Sequence, residues 1–166
     1  MNPTTCLRYI VALLLTVICG CVALSAATIA SPDFDQFLDL TDEAQLEFQQ
    51  GRPDAYKALW SHQTDVTLGG GFGGGFELGW DQVAARLDWA SSQFANGRNQ
   101  ITRIASGNSG DLGYLVQMEH LDFTPTNANA SVERIYRVTM VFRKEKRQWR
   151  IIHRHADTQT SKEPPR

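Results

Sequence analysis

From Ser31 onward the hydrophobic positions of the chain change period twice. Ser31-Pro32-Asp33 is a helix start, with Pro in the first turn and acids near the positive end of the helix dipole. Phe37, Leu38, Ala44, Ala55 and Ala58 then mark two helical stretches. The first runs to about Gln50, where Gly51-Arg52-Pro53 interrupts it, and the second spans Asp54 to about Trp60. A short strand follows at Asp65–Leu68, and then a run of glycines and phenylalanines at 69–76. Trp80, Val83, Leu87 and Phe94 fall on one stripe and predict a third helix, with Trp89 off that stripe.

After this helix the period shortens to two. Ile101–Ser106, Leu112–Phe123, Val132–Arg143 and Gln148–Ala156 are rich in β-branched and aromatic residues and are separated by Gly, Asp, Pro, Asn or Lys clusters. Lys144-Glu145-Lys146-Arg147 reads as a solvated hairpin tip, and residues 158–166 read as a disordered tail. Helices first and hairpin-linked strands afterwards predict an α+β domain over residues 31–157. In this arrangement a curved antiparallel sheet wraps over three N-terminal helices, forming a cone with a pocket inside.

The remainder of the chain sets an address. After Arg8 no acidic or strongly basic residue occurs through Ala30. The apolar run from Tyr9 to about Ile18, with small residues after it, fits a secretory leader over residues 1–30 that is cleaved near Ser25-Ala26-Ala27. Ile18-Cys19-Gly20-Cys21 resembles the bacterial lipobox, which makes Cys21 a candidate lipidated residue, although Cys19 stands where Ala or Ser is usual. The run is also long enough for an uncleaved anchor. Each of the three fates exports the domain to the periplasm or to a membrane-anchored position outside the cytoplasm, with the leader or its lipid as the only membrane contact.

Cys6, Cys19 and Cys21 are the three cysteines, and all lie in the leader. The domain therefore has no disulfide, thiolate zinc site or iron–sulfur cluster, and no feature of it asks for a cofactor. With 42% hydrophobic residues, 16 basic and 18 acidic side chains and a net charge of −2, the composition is that of one globular domain. It carries no electrostatic footprint for nucleic acid.

Candidate chemistry concentrates on the strands. His153 and His155 stand two apart and so share a face with Trp149 and Ile151, a placement suited to a general base near neutral pH. A metal would need a third ligand such as Glu119, His120 or Asp157, and no spacing marks one, so no metal is assigned. Tyr114 and Glu119 are pocket candidates because their strand crosses the sheet centre. Trp60, Trp80 and Trp89 read as core aromatics, with Trp60 and Trp80 the candidates for lining the pocket. The glycine run lacks the Gly-Lys-Ser/Thr ending of a phosphate loop and reads instead as a flap, with Phe72 and Phe76 beside the pocket mouth.

Three motifs carry a family resemblance: Tyr56-Lys57-Ala58-Leu59-Trp60-Ser61, Gly79-Trp80-Asp81, and Trp149-Arg150-Ile151-Ile152-His153-Arg154-His155-Ala156-Asp157. With the element order, they resemble the SnoaL-like, ketosteroid-isomerase-like branch of the nuclear transport factor 2-like superfamily, over about Asp33 to Asp157. The resemblance implies a conical half-barrel and a homodimer through the outer sheet face. By likeness to the association domain of calcium/calmodulin-dependent kinase, it also turns Arg137 toward the cavity, where it would meet a carboxylate or enolate oxygen. Asp65, Asp111, Tyr56, Tyr114 and Tyr136 match no ketosteroid-isomerase catalytic motif. The expected function is binding of a small apolar or carboxylate-bearing molecule. The alternatives are an isomerase, cyclase or dehydratase that abstracts a proton next to a carbonyl with a His base, and a dimerisation or assembly module, since fold alone does not decide among them.

Overall fold

A computed structural model describes residues 33–162. The leader, including Cys21, and residues 163–166 lie outside the described residues. Helix α1 spans Phe34–Phe48 and is closed at its start by a capping box. In that box Asp33 accepts from the Gln36 backbone N–H at 2.9 Å, while the Gln36 side chain accepts from the Asp33 N–H at 3.2 Å. Helix α2 is the single turn Asp54–Ala58. Strands β1 (Thr67–Gly69) and β2 (Phe76–Leu78) flank the glycine segment, and helix α3 spans Trp80–Ser91. Four long strands complete the fold: β3 (Phe94–Ser109), β4 (Leu112–Pro125), β5 (Val132–Glu145) and β6 (Gln148–Asp157).

Phe94 is not part of the third helix. The chain leaves the helix at Ser92, the Ser91 hydroxyl donates to the Phe48 carbonyl at 2.8 Å, and Phe94 opens β3 with its ring edge-on to Phe123 at 4.7 Å. β3 therefore begins well before Ile101, through the polar stretch Asn96–Gln100 whose pairing with β4 its composition does not announce. A bulge between Ala95 and Arg98 contains Asn96 at φ 56°. There the backbone passes so close to Gln49 that a Cβ at Gly97 would overlap the Gln49 carbonyl.

The six strands form one sheet in the order β2-β1-β6-β5-β4-β3. All neighbours are antiparallel except β1 and β6, which run parallel. The β5–β6 hairpin turns at Lys146 and Arg147, both in the left-handed region at φ 48° and 70°. This geometry matches the right-handed twist of the strands it joins. The concave face carries alternating buried residues such as Leu115, Leu121, Tyr136, Val138, Met140 and Phe142, and these meet Phe34, Phe37 and Leu38 of α1. The narrow end of the cone is packed with aromatics, Phe34 lying 4.9 Å from Trp149 and 5.5 Å from Phe142. Toward the other end the packing opens into a cavity.

Candidate functional site

The decisive local feature is a bulge in β6. Phe142 pairs with Ile151, but the next residue of β5, Val141, pairs with His153, so Ile152 is an extra residue on the β6 side. One inserted residue reverses the facing of everything beyond it. Trp149 and Ile151 point into the cone, whereas beyond the bulge Arg154 and Ala156 take the inner positions. His153 and His155 consequently lie on the outer face and do not share the face of Trp149 and Ile151.

On that outer face His153 Nδ1 is 2.7 Å from the Thr67 hydroxyl, and its pKa is held below the usual imidazole range by burial and by the neighbouring His155. Phe76, itself 62% exposed, covers both imidazoles at centroid distances of 6.3 and 5.5 Å. Arg137 is also outward, forming a two-point ion pair with Asp157 at 2.8 and 3.0 Å. Its strand alternates without interruption, and Tyr136 and Val138 are the neighbours that point in. Tyr114 lies 47% exposed on the outer face. Trp60 is buried but backs Tyr56 edge-on at 6.4 Å instead of lining the cavity, and Trp80 stacks on His62 at 3.9 Å outside it. Among the expected pocket residues, Glu119 is the one that faces the cavity. It sits on the opposite face of the sheet from the two histidines, so the three form no chelate. Among the described residues no group of three His, Cys, Asp or Glu side chains gathers as a metal site.

The cavity has a volume of about 60 Å³. Its floor is Glu119 and Leu121 of β4, Tyr136 of β5 and Arg154 and Ala156 of β6; its roof is Gln45, Phe48 and Gln49 of α1 with Tyr56 of α2. Leu87 and Ala90 of α3 close one side, and the flap residues Gly70, Gly71 and Phe72 close the mouth. Glu119 is fully buried, accepting from Arg154 Nη2 at 2.8 Å through one carboxylate oxygen and from Gln117 Nε2 at 2.8 Å through the other. The Arg154 side chain is 13% exposed, so both charges are desolvated. Burial pushes the phenols of Tyr56 and Tyr136 above their ordinary range and keeps both protonated. Behind the pair, Arg103 holds Asp42 at 2.7 Å, yet burial still pushes the Asp42 carboxyl up to about 6.

The side-chain amides of Gln45, at Nε2 and Oε1, and of Gln49, at Oε1, have no hydrogen-bond partner in the protein at this cavity, whereas the hydroxyl of Tyr56 meets Arg154 and that of Tyr136 meets Arg134. Both glutamines are buried, neither more than 4% exposed. Each such atom left unsatisfied costs roughly 1–3 kcal/mol, so a core selected for stability alone would not gather them here.

The flap is built in two halves. A Cβ at Gly71 would enter the buried Tyr136 ring, so this position fits only as glycine, and one at Gly69 would lie 2.8 Å from the His155 ring. Gly73 and Gly74, at φ 79° and 96°, have nothing within 4 Å of a Cβ, and the Gly73 carbonyl is tied down by Arg86 Nη2 at 2.8 Å. Phe72, at the junction, packs on Trp89 at 5.5 Å and Phe94 at 5.3 Å.

Arg154, Tyr56, Gln45 and Gln49 do not stand out as a set in the sequence. Two signals pointed toward them. Gln45 sits on the apolar stripe of α1 between Ala44 and Phe48, and adjacent Ile151 and Ile152 break the alternation of β6 where the bulge occurs.

Comparison with known proteins places this geometry. The family described as SnoaL-like domain matches residues 36–157. A search of curated proteins finds no match. Among solved structures, the chain is similar to a domain from Thiobacillus denitrificans ascribed to the calcium/calmodulin-dependent protein kinase type II association domains. That match has TM-score 0.63 and 20% identity, covering 78% of this chain and 97% of that one. It is also similar to a nuclear transport factor 2-like superfamily protein from Salmonella enterica, with TM-score 0.61 and 18% identity over 73% of this chain and 87% of that one. A cystatin-like-fold protein from Caulobacter vibrioides aligns at TM-score 0.59 and 12% identity over 74% and 87% of the two chains. At these identities the structural matches speak to fold alone.

Proposed function

The chain belongs to the SnoaL-like domain family, and from that premise we propose that it is a small-molecule-binding domain whose ligand occupies the cavity between α1, α2 and the inner sheet face. The observation that carries this reading is the convergence of the unpartnered, buried amide atoms of Gln45 and Gln49 on one cavity floored by the Arg154–Glu119 pair. A ligand bearing oxygen or nitrogen would satisfy them, while Phe48, Leu68, Leu87 and Phe94 would hold its apolar part. Calorimetric titration with small oxygenated compounds, run beside Tyr56→Phe and Gln45→Leu, tests it. Binding that both variants weaken supports the site, and binding that neither alters removes it.

A second reading makes the same cavity catalytic, with the base reassigned from the histidines. Glu119 would take a proton from a carbon next to a carbonyl while Tyr56 and Tyr136 donate to the developing oxyanion. Its support is that burial holds both phenols protonated, Tyr136 beside the carboxylate on the floor and Tyr56 across from it on the roof. Solvent deuterium appearing in a bound ketone, and lost with Glu119→Gln, is the result this reading requires.

Assembly and address complete the proposal. The outer sheet face exposes Ile104 (62%), Leu112 (56%) and Tyr114 (47%), and we propose that a second copy of the chain covers it. Light scattering on Tyr114→Asp and Ile104→Asp should then show a shift to monomer. Export rests on the uncharged run that follows Arg8. A lipid-anchored form predicts metabolic labelling by a palmitate analogue that Cys21→Ala abolishes.

A further inference from the structure

We propose a second binding site, outside the cavity: the groove between the glycine flap and the end of β6 takes a small carboxylate with an apolar body, and Arg134 of β5 grips its carboxylate. This goes beyond the cavity reading and does not depend on it. The groove has a volume of about 290 Å³, near the lower end of small-molecule sites, which run from roughly 300 to 1,000 Å³, whereas the cavity behind the flap has about 60 Å³. It is lined by residues 69–76 together with Arg134, His155, Asp157 and Thr158. Arg134 stands opposite Leu121 in the sheet and so lies on the inner face, at its mouth end, while Glu133 before it stands opposite Asp122 and takes the outer face.

Charge identifies the ligand as an anion. Arg86 at the cavity mouth, Arg137 on the outer face and Arg154 on the cavity floor are each matched by an acid, Glu77 at 3.6 Å, Asp157 at 2.8 Å and Glu119 at 2.8 Å. Arg134 forms no ion pair among the described residues. Its guanidinium carbon lies 5.4 Å from the centre of the Phe72 ring, and the group meets the Tyr136 hydroxyl. These two contacts hold the guanidinium in place and leave N–H donors over for a bidentate carboxylate. Asp157, the acid in the groove, is already engaged, its Oδ1 accepting from Arg137 at 2.8 and 3.0 Å and from the Gln159 N–H at 2.9 Å. One uncompensated cation matches one negative charge, so a carboxylate fits where the second charge of a phosphate would face Asp157. The Thr158 hydroxyl and the His155 imidazole line the same groove and can add a donor, and Phe76, 62% exposed, offers apolar surface to the body of the ligand.

The test is calorimetric titration of the full-length chain at neutral pH with benzoate, benzamide and phenyl phosphate. Benzoate is expected to bind at least about tenfold more tightly than benzamide, and phenyl phosphate no more tightly than benzoate. Arg134→Gln should abolish the preference for benzoate, whereas Arg147→Gln, which removes an exposed charge from the turn at the other end of β5, should leave it intact. Both changes fall on exposed side chains, so the fold is kept. Benzamide binding as tightly as benzoate, no binding of either, a preference that survives Arg134→Gln, or one that Arg147→Gln removes equally overturns the site. Tighter binding of phenyl phosphate overturns the assignment to a monoanion. The cavity proposal is decided separately, by Tyr56→Phe and Gln45→Leu.

Discussion

Replacing Arg154 with Met isolates what the buried ion pair does. The guanidinium meets Glu119 at 2.8 Å, and the carboxylate it leaves behind is 0% exposed, with only the Gln117 amide, also at 2.8 Å, to hold it. Removing one partner of such a pair costs about 3–5 kcal/mol, because the remaining charge stays in a medium that solvates it poorly. For a domain of this length that corresponds to a fall in melting temperature on the order of 10–20 °C. The double variant Glu119→Leu/Arg154→Met removes both charges together, and it should return to wild-type stability or exceed it, since desolvation roughly offsets the mutual attraction of the pair. Circular dichroism followed through thermal and urea denaturation measures all four corners of this cycle. A loss below about 1 kcal/mol for Arg154→Met would show that the cavity solvates Glu119 as water does, which would refute the reasoning from burial. A double variant as unstable as the single one would show that the pair is retained for stability and not for the ligand.

Other changes probe the surrounding structure. Gln45→Leu removes two unpartnered buried atoms, so it should raise stability by about 1 kcal/mol while abolishing ligand binding, as denaturation and calorimetry would record. Gly71→Ala, whose Cβ would enter the Tyr136 ring, should cost about 1–3 kcal/mol, whereas Gly75→Ala, with open space around it, should be neutral or slightly stabilising in the same denaturation assay. Asp42 titrates at about 6 in the fold against 3.8 as a free side chain, with Arg103 beside it and Glu119 and Asp39 also acting on it. Between those values the folded chain holds a proton that the unfolded chain has released, so its contribution to stability falls as pH rises through that window and then levels, by at most roughly 3 kcal/mol. The difference between wild type and Asp42→Asn across pH 4–7 reads this contribution alone, and a difference that rises with pH would contradict it.

The architecture was legible because it is written in period. Helical spacing to Phe48, then strands of period two separated by turn residues, is enough to put helices against the concave side of an antiparallel sheet. The boundaries that failed are those where tertiary pairing overrode pattern. Phe94 continues the spacing of α3 but belongs to β3, and the polar segment Asn96–Gln100 is a strand because β4 supplies its partners. The site was legible only at Glu119, where unbroken alternation of β4 put the side chain on the inner face. Counting twos along β6 puts His153 and His155 on that face, and the count breaks at Ile152. Only likeness to another domain turns Arg137 inward, and the local alternation of Tyr136 and Val138 opposes it. Gln45, Gln49 and Tyr56 come together from α1 and α2 only once those helices close over the sheet, a juxtaposition that separate stretches of sequence do not encode.

The cavity's walls differ in how freely they can change. Its floor is regular sheet, in which a substitution at Glu119, Tyr136 or Arg154 disturbs hydrogen-bonded neighbours on both sides. Its mouth is a short loop of glycines closed by the Phe72 ring, in which Gly71 abuts Tyr136 and Gly73 and Gly74 are fixed as glycine by their positive φ, so Phe72 is the position there that can change. A lineage carrying this fold can therefore alter the length and bulk of the molecule it admits at Phe72, while the polar end of that molecule continues to meet the same fixed groups. Selection for size and selection for chemistry act on separate parts of the chain.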